Sequence, residues 1–176
     1  MDHYRTERLV VRDWVVDDAP AALGIYGRDE VTRWLGAPPM QSVMSLEAMR
    51  EGVGRMIARN AERPGFGLWP TVRSDDGALV GATLLAPVRD GDGAVEIGWH
   101  FNPDYWGHGY ATEAARGVLE LAFGSRDLDR VIAVVYPGNA RSLAVCRRLG
   151  MIHDGRTDLY YGVALELFSL TRPEPM

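Results

Sequence analysis

Cysteine and long apolar segments are what this sequence has least of. The 176 residues contain one cysteine, Cys146, so an internal disulfide is excluded and a reducing compartment is favoured. No apolar run approaches the ~20 residues that a membrane-spanning helix needs, and residues 1–5 contain no apolar core of a secretory signal. These absences argue against a secreted or membrane protein, and we expect a cytoplasmic one.

An excess of positive charge is also missing. The formal net charge is −5, which disfavours nucleic acid as the main partner because a phosphate backbone attracts basic proteins. The same charge favours a cationic acceptor such as an amine. The hydrophobic fraction of 47% and the charged fraction of 24% are ordinary for a globular protein. With no repeats, low-complexity tracts or linkers, the chain predicts a single domain over residues 1–176.

One local pattern stands out, a strand that runs into a glycine turn at the start of a helix. Residues 95–101 alternate between polar and apolar side chains like a half-exposed strand, and a helix follows from Ala111. Gly107 and Gly109 remove two side chains where the backbone turns between them. Bare amide groups at a helix N-terminus bind anions, and the helix dipole adds positive potential. The turn therefore predicts a site for a phosphate-bearing cofactor.

Two common phosphate loops fit this turn poorly. A P-loop needs Lys followed by Ser or Thr after the glycines, and here Tyr110 and Ala111 follow. A dinucleotide fingerprint needs a third small residue where this chain has Thr112, and a fully buried strand before the turn. The strand 95–101 alternates instead. A nucleotide-binding protein is therefore disfavoured.

Four blocks of sequence, in order along the chain, resemble a known family. They are residues 5–12, 96–99, 106–111 and 139–151. The third block, W-G-H-G-Y-A, is similar to the pattern Q/R-x-x-G-x-G/A, with Trp106 at the Q/R position. In these blocks the chain resembles the GNAT family of acyl-CoA-dependent N-acetyltransferases, and within it the RimJ/RimL-like branch, where Trp is usual at this position. The resemblance spans residues 5–170, nearly the whole chain.

The fold class that the pattern and the resemblance imply is α+β, built on a mixed sheet. Alternating segments predict an antiparallel meander, and the following strand, helix and continuous apolar strand predict a βαβ unit. The resemblance adds that the two parallel central strands splay apart. The predicted strands are 7–14, 66–72, 79–88, 95–101, 131–136 and 161–170, and the predicted helices are 17–26, 45–60, 111–123 and 139–150.

The resemblance also implies which residues bind the cofactor, acetyl-CoA, with no metal. The pantetheine arm would lie between the splayed strands, beside the backbone of Trp99 and Phe101. Asn139 caps a helix and could also touch this arm. His108 takes a position where the branch often has a basic residue, although simple solvent exposure explains it equally well. The pyrophosphate would lie on the turn, whose residues are Trp106, Gly107, His108, Gly109, Tyr110, Ala111 and Thr112.

Acyl transfer to an amine requires a base, because amines are mostly protonated at neutral pH. Glu96, on the strand that ends at the phosphate turn, is the candidate, and a solvent-facing or salt-bridged glutamate is the alternative. His100 shares its face and is a second possible base or a polar strand residue. Ser142 could donate a hydrogen bond to the departing thiolate, or bond the backbone of its own helix. Many family members have Tyr at the position of Cys146, so a tyrosine acid is in doubt here, and a mid-helix cysteine is usually inert.

The acceptor pocket is predicted from the early loop. Trp34, Met40 and Met44 could form an apolar wall there, with Glu96 on the other side, although core packing explains these residues equally well. The predicted function is acetyl transfer from acetyl-CoA directly to a primary amine, either a protein or peptide N-terminus or a small amine. A non-catalytic acyl-CoA-binding or sensing domain on the same fold is the alternative, and a homodimer stays open.

Overall fold

An eight-stranded mixed sheet forms the centre of the molecule in the computed structural model, which describes residues 1–36, 38–88 and 93–173. The strand order across the sheet is β1-β2-β3-β4-β5-β6-β8-β7. All neighbours are antiparallel except β5 and β6, which are parallel. The strands are β1 Asp2–Arg5, β2 Leu9–Arg12, β3 Gly67–Arg73, β4 Leu79–Pro87, β5 Val95–Phe101, β6 Arg130–Val135, β7 Ile152–Thr157 and β8 Leu165–Thr171.

Five helices accompany the sheet within the described ranges. Two of them begin with caps that the sequence predicts. The Ser45 hydroxyl accepts a hydrogen bond from the amide of Ala48 at 3.1 Å, and the Asn139 side chain accepts one from the amide of Ser142 at 3.2 Å. The helices are α1 Ala19–Tyr26, α2 Asp29–Thr32, α3 Leu46–Ala61, α4 Tyr110–Phe123 and α5 Ala140–Arg148.

The two parallel strands diverge, as the family resemblance implies. β4 and β5 pair along their length, from Pro87↔Val95 to Gly81↔Phe101. β5 and β6 are in register at one position only, Glu96↔Ile132. Beyond that pair the strands separate, so the backbone of β5 toward Phe101 has no strand partner on its β6 side. The predicted α+β fold with splayed central strands is therefore confirmed.

The two faces of the sheet are covered by different helices. Val95 and Ile97 of β5 cluster with Val118 and Leu121 of α4, so α4 covers that face. His100, on the other face by the two-residue period of a strand, contacts the Tyr26 hydroxyl of α1 at 3.1 Å from Nδ1. The side chain of Glu96 shares the His100 face, on which α1 and α3 pack.

Two strand predictions are wrong in extent, and two strands, β1 and β7, were not predicted. The opening strand is Leu9–Arg12 rather than 7–14, and Asp2–Arg5 pairs beside it as an edge strand. The last strand begins at Leu165 rather than at residue 161. β7, Ile152–Thr157, is a mostly exposed edge strand of polar residues, so it lacks the apolar alternation by which strands are recognised.

Candidate active site

A cleft of about 1220 Å³ opens where β5 and β6 separate. Its walls come from both strands, from the N-terminal parts of α4 and α5, and from α1, α3 and the loop after α1. Most of the residues that the sequence nominates line it, namely Trp34, Met40, Glu96, Trp99, Phe101, Trp106, Ala111, Asn139 and Ser142. Gly107, His108, Gly109, Tyr110 and Thr112 do not line the cleft but connect Trp106 to the first turn of α4.

The glycine turn has a backbone that only glycine adopts without strain. Gly107 has φ of +86° and Gly109 has φ of +81°, the left-handed region. An added Cβ at Gly107 would meet no atom within 4 Å, so conformation and not space requires this glycine. Among the described residues, the amides at 109–112 donate to no protein acceptor. Four amide donors at the positive end of α4 are therefore without a protein acceptor.

The side chains of the turn are used for packing rather than for the cleft. Tyr110 is buried with Leu9, Val80 and Phe101, and the exposed His108 ring stacks on Tyr110 with centroids 5.6 Å apart. Only the backbone of this segment is thus free for a ligand, together with the exposed edge of His108.

Arg8 supports the turn from the opening strand block, and sequence analysis did not nominate it. Its guanidinium donates to the carbonyl of His108 at 3.1 Å and pairs with Glu113 of α4 at 2.6 Å. Arg8 lies in a block that resembles the family, but the sequence alone could not show its contact with Glu113, which is 105 positions away.

Trp106 joins the two sides of the cleft. Its indole N–H donates to the carbonyl of Phe101 at 2.9 Å, which fixes the turn to the end of β5. The guanidinium of Arg141, on α5, lies 4.2 Å from the Trp106 ring centroid, a cation–π distance. Arg141 lines the cleft as well, and it was not among the predicted site residues.

Glu96 lies at the one register pair between β5 and β6, where the cleft closes. Burial raises the pKa of its carboxyl to about 7, and a hydrogen bond from the Tyr161 hydroxyl lowers it in part. No basic side chain pairs with it within the described part of the chain. The alternative of a salt-bridged glutamate therefore does not describe this residue, and the carboxyl exchanges a proton near neutral pH.

His100 lines the same cleft but is unsuited to be protonated. Burial lowers its pKa to about 4, so the ring is neutral near pH 7. Its Nδ1 contacts the Tyr26 hydroxyl at 3.1 Å. The ring thus has a structural partner on α1.

On α5, the hydroxyl of Ser142 is available for contact with a ligand and the thiol of Cys146 is not. Ser142 lines the cleft, and its hydroxyl makes no hydrogen bond to the backbone within the described residues. Cys146 is fully buried in the core, and burial raises the pKa of its thiol to about 12. A thiol with that pKa is not a nucleophile at neutral pH.

The early loop contributes an aromatic wall. The rings of Trp34 and Tyr136 lie 6.4 Å apart, and the Tyr136 hydroxyl donates to the carbonyl of Gly36 at 2.7 Å. Met40 also lines the cleft. Met44, a residue that is 88% exposed, does not line it, so the structure does not place Met44 in the predicted pocket.

The described residues contain neither a group of three or more His, Cys, Asp or Glu placed to hold a metal ion nor a helix long and apolar enough to cross a membrane.

Sequence comparison identifies the family. A family model described as an acetyltransferase (GNAT) domain matches residues 8–152. The chain belongs to the GNAT acetyltransferase family. An uncharacterised N-acetyltransferase of Bacillus subtilis, YnaD, is 31% identical over 153 residues, which cover 87% of this chain and 84% of that protein. The protein is thus an N-acetyltransferase.

Solved GNAT structures share its fold. A GNAT-family acetyltransferase from Bacillus anthracis superposes with a TM-score of 0.76 at 26% identity and covers 96% of each chain. A RimL ribosomal-protein α-N-acetyltransferase, solved in complex with coenzyme A, gives a TM-score of 0.76 at 17% identity and covers 97% of this chain and 98% of its own. At that identity the second similarity concerns the fold alone.

Proposed function

We propose that the protein transfers an acetyl group from acetyl-CoA directly to a primary amine, with Glu96 as the general base. The observation that carries the proposal is the carboxyl of Glu96, whose pKa burial raises to about 7 at the closed end of the cleft. We further propose that residues 1–176 act as one domain of the RimJ/RimL-like branch in the cytoplasm, in keeping with the single, free cysteine.

The chain offers a binding place for the pyrophosphate and for the pantetheine arm of CoA. Four bare amides at 109–112, at the N-terminus of α4, suit the pyrophosphate. The backbone of β5 from Trp99 to Phe101, without a strand partner on its β6 side, suits the pantetheine arm, and Asn139 lines the same slot. Acetyl-CoA when bound supplies an activated acyl group and a thiolate leaving group.

Residues that line the cleft would accept the proton of the amine and stabilise the negative charge on the sulfur. A peptide α-amine titrates near ~8 and a lysine-like amine near ~10.4, so either must lose a proton before it attacks. Glu96 is partly ionised at neutral pH and would accept that proton directly or through a water. Ser142, which lines the cleft from α5, would donate a hydrogen bond to the sulfur as negative charge develops there.

A protein or peptide N-terminus and a small amine both suit this chemistry as acceptors. Trp34 and Met40, from the early loop, would form the apolar side of the acceptor pocket. A homodimer stays a prediction.

Turnover with a panel of amines tests the proposal. Protein and acetyl-CoA are mixed with peptides that have free α-amines, with small amines and with no amine, and both thiol release and the acetylated product are measured. The proposal predicts thiol release that depends on the amine, with one acetyl group found on the amine nitrogen. CoA binding without turnover of any amine would instead favour the non-catalytic acyl-CoA-binding alternative.

A further inference from the structure

Three arginines line the cleft in a row. Arg55 and Arg59 stand four residues apart on α3, and Arg63 follows four residues later, just beyond its end. All three line the cleft. Arg55 and Arg59, four residues apart, lie on one face of the helix, and Arg63 extends the positive charge from the segment that follows it.

The row lies on the Glu96 side of the sheet rather than on the side of the glycine turn. The Asn60 side chain bonds the amide and the carbonyl of Leu68, at 3.1 and 2.9 Å, which fixes the end of α3 to the start of β3. The register continues across the sheet from Gly67 to Leu85 and from Leu85 to Ile97. Leu68 itself is in register with Leu84, and Leu84 with Gly98, so the end of α3 is level with Gly98, which lies between Glu96 and His100 in β5, and it is on the face toward which both side chains point.

The charges of this wall are largely unpaired. Among the described residues, no carboxylate pairs with the guanidinium of Arg59 or of Arg63. Arg55 has Glu51 at 3.8 Å, and both side chains are 68% exposed, so water screens this contact. Two other carboxylates line the cleft, Glu30, which pairs with Arg28, and Glu62. The strip of Arg55, Arg59 and Arg63 therefore keeps an excess of positive charge, in the same cleft as Glu96.

We propose that the acceptor is a primary amine that also carries an anionic group, a carboxylate or a phosphate, which Arg59 and Arg63 bind while the amine reaches Glu96. The inference rests on the proposed function and narrows its substrate class. Guanidinium groups bind carboxylates and phosphates through paired, charge-assisted hydrogen bonds. Arg55, which extends the strip, would add attraction without a required contact.

The net charge of −5 does not prevent an anionic group from binding in the cleft. Exposed charges act over a Debye length of ~8 Å at physiological salt, so a ligand in the cleft responds to the nearest groups. The amine still meets a carboxylate, Glu96, and only the second group of the acceptor meets the arginines. The site would select such an acceptor because its amine and its anionic group would each meet a protein group of opposite charge.

Matched pairs of acceptors test the inference. An ω-amino acid is compared with its primary amide, and an aminoalkyl phosphate with its amino alcohol, so that each pair differs by one anionic group. For each, kcat/KM is measured by thiol release, and binding is measured by calorimetry in the presence of CoA. The wild type should prefer the anionic member, and whichever pair shows the larger preference identifies carboxylate or phosphate as the group.

Substitutions at Arg59 and Arg63 provide the decisive experiment. Arg59→Gln with Arg63→Gln should raise KM for the preferred anionic acceptor by ~10–100-fold, as expected for lost charge-assisted hydrogen bonds, and leave the neutral member unchanged. Arg50→Gln is the matched control, because Arg50 lies exposed on α3 and does not line the cleft. It should match the wild type with every acceptor.

The two proposals fail in different ways. Equal use and equal binding of anionic and neutral acceptors by the wild type would overturn the anionic-acceptor inference and leave acetyl transfer standing. An unchanged preference in the double variant would overturn it as well. Arginine-dependent binding of an anionic amine without any thiol release would uphold the site and refute the proposed reaction.

Discussion

The hydroxyl of Tyr161 donates a hydrogen bond to the carboxylate of Glu96, although the two residues are 65 positions apart in the chain. Tyr161 lies in the loop between β7 and β8 and has φ of +62°, a backbone conformation that is uncommon for residues other than glycine. The loop therefore keeps an unfavourable backbone at the residue that contacts the proposed base. We infer that Tyr161 positions Glu96 and adjusts its proton affinity.

Tyr161→Phe should move the pH dependence of the reaction. The hydrogen bond from Tyr161 lowers the pKa of Glu96, so its loss raises that pKa. Because the base acts in its ionised form, the rising limb of kcat/KM should shift to higher pH, and activity near pH 7 should fall. Steady-state rates across pH measure this. Tyr136→Phe is the control, since Tyr136 lines the cleft but its hydroxyl bonds Gly36. An equal shift of the rising limb in both variants would show that Tyr161 does not adjust the pKa of Glu96.

Glu96→Gln should stabilise the fold at alkaline pH. Burial raises the pKa of Glu96 from 4.5 to about 7, so the protonated form favours the folded state. That contribution is complete below pH 4.5 and is lost as the pH rises through about 7. Glutamine stays neutral, so the Tm of the variant relative to wild type should increase over this window. Glu120→Gln, at an exposed position of α4, should show no such trend, and a flat difference for Glu96→Gln would contradict the raised pKa.

Gly109→Val should weaken CoA binding. A valine at φ of +81° strains the turn, and its side chain would stand among the bare amides at 109–112. Gly77→Val is the matched control, because Gly77 has φ of +72° in the β3–β4 hairpin, outside the cleft lining. Calorimetry should give a loss of CoA affinity for the first variant only, with thermal melts to verify that both are folded. Equal CoA affinity in the two variants would show that the pyrophosphate does not bind at this turn.

Ser142→Ala should lower kcat by ~10-fold with little change in CoA affinity, as expected for a contact that strengthens in the transition state. Cys146→Ala should affect kcat less, since burial keeps that thiol protonated. Mass spectrometry of the wild type incubated with acetyl-CoA should find no acetyl-cysteine. An inactive cysteine variant beside a normal serine variant would instead require a covalent route.

The sequence was sufficient for the elements that have strong periodicity or turn chemistry. Strand β5 and helices α3 and α4 lie within a residue or two of their predicted bounds, because alternation, the Ser45 cap and the glycine turn define them locally. β7 was missed because an exposed edge strand, with polar residues such as His153 and Arg156, has no apolar alternation.

The site was predictable where it follows from local sequence and not where it depends on distant contacts. Glu96 and the glycine turn are adjacent to recognisable motifs. Tyr161 was assigned to a strand, and its contact with Glu96 joins two segments that only the fold brings together. Arg59 and Arg63 belong to no motif of the sequence, and only the folded chain brings them to the lining of the cleft.

The role of Glu96 as the base is tested by the pH dependence of kcat/KM for wild type and Glu96→Gln with an amine that the enzyme acetylates. We expect the wild-type value to rise with pH through about 7, and the variant to be slower by ~10²–10⁴-fold at neutral pH. The deficit should shrink at higher pH, where the amine loses its proton unaided. A folded Glu96→Gln protein with wild-type kcat/KM at neutral pH would contradict the assignment of Glu96 as the base.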